Sequence, residues 1–310
     1  MDYVDISKAN QNKFICLIGE EIKDIKQFYD SHYEKEYDVY LIETVSKEKS
    51  VLKKVSLNEY TVNKMLKNSQ INSMIPNIFN LIQCEDDYWL FSEYIEGENL
   101  TVLNTQHIKG ISSSLATISS YFYLNRGELY DLSPSFDEQL ENKYTLLNEL
   151  AKNSEFYSVY HHYIKRLTEI PLTLSHDDLL PLNVLSNETE LKIVDWEYGR
   201  INSYVTDLTR FCCFYYSDES VFKKGFGFLG HKELIDRIKN YFYLSLSDDL
   251  KQIISYNQFL LDYELEEFNQ NLLNLMHLEK IDEESVTTEW EVFFYNQSLK
   301  LAESIISKTT

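Results

Sequence analysis

The first 95 residues are dominated by short apolar or alternating runs. Ile22 to Tyr29, Val39 to Glu43, Ser50 to Val55 and Tyr88 to Tyr94 have the length and the β-branched and aromatic content of strands. The acidic triplet Glu85-Asp86-Asp87 before Tyr88 reads as a hairpin turn. Glu59, Val62, Met65 and Leu66 have helical spacing, so one helix ending before Asn68 interrupts the strands. Beyond residue 95 the period changes. Ile108, Ile111, Leu115, Ile118 and Phe122 recur at steps of three and four. The same spacing links Leu140, Tyr144 and Leu147, then Phe156, Val159, Tyr160, Tyr163 and Leu167, and finally Trp290, Phe293, Phe294, Gln297 and Leu301. Two short apolar segments, Leu172 to Leu174 and Leu191 to Val194, break the helical region. The pattern predicts an α+β chain. A small strand-rich lobe spans 1–95, a larger helical lobe spans 96–310, and Glu96-Gly97-Glu98 connects them.

Composition narrows the class. The 310 residues carry 29 Lys and Arg against 50 Asp and Glu, a formal net charge of −21. That argues against a nucleic-acid partner, because a phosphate backbone needs clustered cations. The longest charge-free stretches, near Asn68 to Cys84 and Gly110 to Asn125, are rich in Asn and Ser, so no membrane span is expected. Cys16, Cys84, Cys212 and Cys213 form no C-x-x-C pair, and the N-terminus lacks an apolar signal core. Both features fit a reducing cytoplasm.

The chemistry concentrates in His176-Asp177-Asp178, then Asn183, then Val194-Asp195-Trp196-Glu197 after a short apolar run. Phosphoryl transfer from ATP needs these groups. One carboxylate takes the proton of the attacking hydroxyl, while an amide oxygen and a second carboxylate hold the magnesium ions that bridge the phosphates. Asp178 and Asn183 stand five positions apart, as the corresponding residues do in the kinase catalytic loop. A solvated Asp-rich turn would explain a lone Asp and Asn, but not their coincidence with His176 and two flanking apolar segments.

At these residues the sequence resembles the aminoglycoside phosphotransferase and choline kinase superfamily, whose fold is protein-kinase-like. The resemblance implies a bilobal fold with an antiparallel-sheet lobe that binds nucleotide. It implies Asp178 as catalytic base and Asn183 and Asp195 as Mg2+ ligands. His176 would brace the loop, and Asp207, in Thr206-Asp207-Leu208, would hold the loop backbone. Asp177 departs from the usual Gly or Asn. Further matches are Lys53 as the phosphate-gripping lysine, with Lys54 as its competitor, and Glu59 as its helical partner. In the Leu90 to Gly97 hinge, the Ser92 carbonyl and Tyr94 N–H would meet the adenine edge. The phosphate-covering loop is expected near Ser31-His32-Tyr33-Glu34-Lys35, where no glycine occurs.

The resemblance implies a small-molecule O-phosphotransferase using ATP, or GTP, with Mg2+, working as a monomer or homodimer. The acceptor is expected to be a small hydroxyl compound of cationic character. The span 262–291 holds ten acids and one base, Lys280, so some of these acids could line an aminoglycoside site or form a solvated helix face. The alternative acceptor is choline, another amino-alcohol or a sugar, with Tyr198, Tyr204, Phe211, Phe214, Tyr215 and Tyr216 as candidates for an aromatic box. An alternative of a different class is a nucleotide-binding pseudokinase or regulatory module. Intact Asp178, Asn183 and Asp195 argue against it.

Overall fold

The structure is a computed structural model that describes residues 2–6, 14–32, 34–46, 49–187, 190–216, 227–278 and 284–309. Tyr33 of the expected phosphate loop, and Glu279, Lys280, Asp282 and Glu283 of the acidic span, lie outside the described residues. The chain divides into two compact units. The first comprises Met1–Asn99 with Asn183–Gly199, and the second Leu100–Leu182 with Arg200–Thr310. The segment 183–199 therefore belongs with the sheet-rich residues, although it follows the helical ones in sequence.

In the first unit, strands β1 (Asp2–Asp5), β2 (Ile22–Asp30), β3 (Lys35–Thr44), β4 (Ser50–Val55), β5 (Ile78–Cys84) and β6 (Asp87–Glu93) form an antiparallel sheet ordered β1-β2-β3-β4-β6-β5. Ile25, Tyr40, Ile42, Leu52, Trp89 and Phe91 bury one face together with Phe14. Burial of such side chains is worth about 1.5–3 kcal/mol each, and that drives the register. The β5–β6 turn puts Glu85 at φ 54°, as a tight acidic hairpin requires. Helix α1 (Leu57–Asn68) starts where the Ser56 side chain accepts the Glu59 N–H at 3.1 Å, and it buries Glu59, Val62, Asn63 and Leu66. A second sheet joins β7 (Glu98–Asn99), β9 (Val184–Ser186) and β10 (Leu191–Ile193) in the order β10-β9-β7. Its close packing depends on Gly97, where a Cβ would sit 2.8 Å from the Ser186 carbonyl oxygen.

In the second unit, α2 (Thr105–Leu124) buries the expected stripe of Ile108, Ile111, Leu115, Ile118 and Phe122. Ser112, Ser114, Ser119 and Ser120 of this helix also face inward. Ser112 donates to the Ile238 carbonyl at 3.1 Å and Ser119 to the Tyr204 carbonyl at 3.3 Å. Helices α3 (Phe136–Glu149) and α4 (Ser154–Leu167) lead to strand β8 (Leu172–Ser175), which pairs with β11 (Arg200–Ser203). Helix α5 (Thr206–Cys212) follows, then β12 (Tyr215–Tyr216) and β13 (Phe228–Leu229). Helices α6 (Lys232–Ser245), α7 (Asp248–Ile253), α8 (Tyr256–Leu278) and α9 (Glu284–Thr309) complete the unit. Among the described residues no helix is long and apolar enough to cross a membrane.

Two of the four acids on α8, Asp262 and Glu266, do not belong to a solvated face. Asp262 is fully buried and accepts two bonds from Arg166, at 2.7 and 2.9 Å, one from Tyr204 at 3.0 Å and one from Gln258 at 2.8 Å. Glu266 is also buried and accepts from Tyr163 at 2.8 Å, Gln270 at 2.9 Å and Asn269 at 3.1 Å. Both carboxylates hold helices together. Removing one partner of such a pair strands the other charge. Asp262→Ala is therefore expected to lower unfolding stability by about 3 kcal/mol, measured by urea titration.

Candidate active site

In the first unit Lys53 is the hub. It lies on β4 in register with Leu90 of β6. Its ammonium sits 2.8 Å from Glu59 Oε1 and 2.5 Å from Asp195 Oδ1. Lys54 points to the outer surface and pairs with Asp87 at 2.7 Å. Geometry thus distinguishes the two neighbours that sequence left open. Burial works to lower the Lys53 pKa, but the two carboxylates outweigh it and hold the ammonium charged. Glu59 is 2% exposed, and burial raises its carboxyl to about 7 against the pull of Lys53.

Asp195 is placed by its own loop. It adopts φ 66°, a left-handed conformation that Asp tolerates better than most residues. The Val194 N–H donates to the Asn183 carbonyl at 2.9 Å, which ties the two candidate metal ligands to one backbone link. Asn58 on α1 donates to the Gly199 carbonyl at 2.9 Å, and Gly199 lies so close that a Cβ would meet Val62 at 2.9 Å. The helix carrying Glu59 is thereby fastened to the loop carrying Asp195. An amide oxygen and a carboxylate suit Mg2+, which takes few protein ligands beside phosphate oxygens.

The hinge residues lie in the same unit. Ser92 is buried on β6, opposite Val51 and Ile78. The Tyr94 ring lies 5.5 Å from the Lys49 ammonium, and Tyr94 also hydrogen-bonds Tyr3 of β1. The expected phosphate-covering segment is the tight β2–β3 turn, with Glu34 at φ 50° and the His32 N–H bonded to Asp30 at 2.9 Å.

In the second unit Asp207 organises the H-x-D loop. Its buried carboxylate accepts Ser175 Oγ at 2.7 Å, the His176 N–H at 2.8 Å and the Asp177 N–H at 3.0 Å. Burial raises its pKa, with His176 and these bonds pulling the other way. His176 is fully buried. Asp177 stands at φ 64°, which gives the usual Gly or Asn at this position a steric reason. Here the carboxylate is held by Arg200 and by Asn202 at 2.7 Å. Asp178 accepts Arg210 Nη2 at 2.9 Å. Sequence reasoning missed Arg200, Asn202 and Arg210, since none stands in the motif. The one signal for Arg210 was its position three residues after Asp207, one helical turn along α5.

The residues named for an aromatic box fall in both units, Tyr198 in the first and Tyr204, Phe211, Phe214, Tyr215 and Tyr216 in the second. Tyr204, Phe211 and Tyr215 are buried in packing, Tyr198 is exposed, and the Phe214 ring lies 4.8 Å from the Arg210 guanidinium.

These features define a protein-kinase-like α+β fold of the kind found in small-molecule phosphotransferases. No protein-family model matches the sequence, and no curated protein matches it either. Solved structures do. An aminoglycoside phosphotransferase from Alicyclobacillus acidocaldarius shares 11% identity at a TM-score of 0.62, over 99% of this chain and 96% of that one. A choline kinase from Cryptosporidium parvum shares 17% identity at a TM-score of 0.54, over 93% and 91%. A thermostable aminoglycoside phosphotransferase mutant, in complex with ADP and hygromycin B, shares 11% identity at a TM-score of 0.55, over 96% and 99%.

Two outcomes test the local physics. Asp177→Ala removes the partner of Arg200 and puts a β-carbon without polar compensation in the left-handed region. It is expected to cost about 2–3 kcal/mol in urea unfolding, with Asp177→Asn costing less. Glu59, with its carboxyl raised from 4.5 to about 7, binds more protons folded than unfolded across that window. Its contribution to stability therefore falls as pH rises towards 7. In thermal melts from about pH 5.5 to 8, Glu59→Gln is expected to flatten the profile relative to wild type.

Proposed function

We propose that this chain is a small-molecule kinase that moves the γ-phosphoryl group of ATP, or of GTP, to a hydroxyl of a cationic acceptor of the aminoglycoside type. The observation that carries the reading is the Lys53 ammonium shared between Glu59 at 2.8 Å and Asp195 at 2.5 Å. A buried glutamate keeps the lysine charged and aimed. The lysine is then available to phosphate oxygens, and Asp195 is available to a metal once nucleotide arrives.

In this reading Asp178 accepts the proton of the attacking hydroxyl. The acceptor oxygen bonds to the γ-phosphorus as the bond to the β-bridging oxygen breaks, and the nucleoside diphosphate leaves. Mg2+ held by Asn183 and Asp195 would supply charge neutralisation for the phosphates. Lys53 steadies the same phosphates, while Ser92 and Tyr94 offer backbone groups to the base. His176 and Asp207 keep the Asp178 loop in shape. The cationic character of the acceptor is supported by the net charge of −21 and by the aminoglycoside phosphotransferases among the similar structures. An amino-alcohol acceptor is the second reading, favoured by the likeness to a choline kinase.

The test is a phosphorylation screen with ATP and with GTP over aminoglycosides, choline and amino sugars. Wild type is expected to phosphorylate at least one, while Asp178→Asn and Asp195→Ala each lose about 100-fold or more of turnover with circular dichroism unchanged. Full turnover by Asp178→Asn, or nucleotide binding with no acceptor phosphorylated, overturns the reading.

A further inference from the structure

A continuous hydrogen-bonded chain runs from Asp178 to the acidic helix α8. Arg210 Nη2 donates to Asp178 Oδ1 at 2.9 Å. Arg210 Nη1 donates to Gln270 Oε1 at 3.4 Å. Gln270 Nε2 donates to Glu266 Oε1 at 2.9 Å, and Tyr163 donates to Glu266 Oε2 at 2.8 Å. The amide of Gln270 has one orientation that satisfies both neighbours, accepting from Arg210 through Oε1 and donating to Glu266 through Nε2.

The placement of Arg210 depends on this chain. Its guanidinium lies over the Phe214 ring at 4.8 Å. Among the described residues its buried Nε finds no hydrogen-bond partner, so its two terminal nitrogens set its rotation about the ring. One nitrogen is fixed by Gln270, and that aims the other at Asp178. Glu266 in turn is buried, and burial raises its pKa while Lys143 and its three hydrogen bonds oppose the rise. A carboxylate with three donors already in place is an anchor rather than a surface for a ligand. The cations near this chain are Lys143 on α3 and Arg200 on β11, and Arg200 is already taken by Asp177.

We infer that Arg210 and Gln270 are positioning residues for the base, and that Glu266 on the acidic helix serves as the anchor of this relay rather than as a contact for the acceptor. The inference rests on the reading of Asp178 as the base. Arg210 holds the Asp178 carboxylate through Oδ1 at 2.9 Å and so sets the direction in which that carboxylate points. A carboxylate held at one oxygen presents the other in a fixed direction, and misdirection of about 1 Å can cost ~100-fold in rate.

The experiment is a double-mutant cycle with Mg-ATP, using kanamycin, hygromycin B and choline as acceptors. Arg210→Ala is expected to lower kcat by about 10- to 100-fold with KM for ATP nearly unchanged, and Arg210→Lys to recover part of the loss. Gln270→Ala is expected to move kcat in the same direction by a smaller factor, and it keeps the inference testable if Arg210→Ala does not fold. In an Asp178→Asn background Arg210→Ala is expected to cost nothing further, because its effect passes through Asp178. Wild-type kcat in Arg210→Ala and Gln270→Ala, a loss confined to KM for ATP, or full additivity with Asp178→Asn overturns the relay and leaves the kinase reading standing. Full turnover by Asp178→Asn alone overturns the kinase reading first, and the relay falls with it.

Discussion

A buried carboxylate that accepts three hydrogen bonds from one short stretch of chain is the constraint on which the H-x-D loop depends. Asp207 takes Ser175 Oγ and the N–H groups of His176 and Asp177. Those groups would otherwise be unsatisfied at the buried end of β8. With them fixed, the chain must turn at Asp177, and the φ of 64° there follows from the turn. Asp178 then emerges from the loop toward Arg210 rather than back into the strand. Burying Asp207 works against its ionisation, so the fold holds a charge in an unfavourable place to gain a rigid loop.

The first unit uses the same device with the signs reversed. There a half-buried cation, Lys53, takes two carboxylates, and the elements that carry them are fastened to each other independently through Asn58 and Gly199. Neither arrangement relies on a glycine-rich loop. In both, the charged side chain meets at least one group that comes from a distant position in the sequence.

That distance explains what the sequence disclosed. Strands with clean alternation or long apolar runs were legible, as were the helix stripes from Ile108 to Phe122 and from Phe156 to Leu167. Strand β1 was missed, because Asp2-Tyr3-Val4-Asp5, with an acid at each end, has no core signature. Strand β5 was missed too, because Ile78–Cys84 carries Asn and Gln at positions that a half-buried strand tolerates. The Lys53-Lys54 doublet stayed open on spacing alone, because both lysines follow the same apolar run. The structure separates their surroundings, since Lys53 meets Glu59 and Asp195 while Lys54 meets Asp87. The motif residues His176, Asp178, Asn183 and Asp195 were visible because they stand close together. Arg200, Asn202, Arg210 and Gln270 were not, because a hydrogen bond across more than twenty residues leaves no local pattern.

The fate of the acids on α8 changes how the charge of −21 acts. Asp262 and Glu266 are neutralised or saturated by internal donors, so they add little to the field felt outside the protein. The excess negative charge that reaches solvent is carried by exposed residues, where screening at physiological salt limits its range to about 8 Å. Such a field gathers cations without choosing their orientation. For this chain, attraction and recognition are therefore separate tasks. Salt would slow the arrival of any cationic ligand, while recognition would rest on groups held in fixed positions at short range.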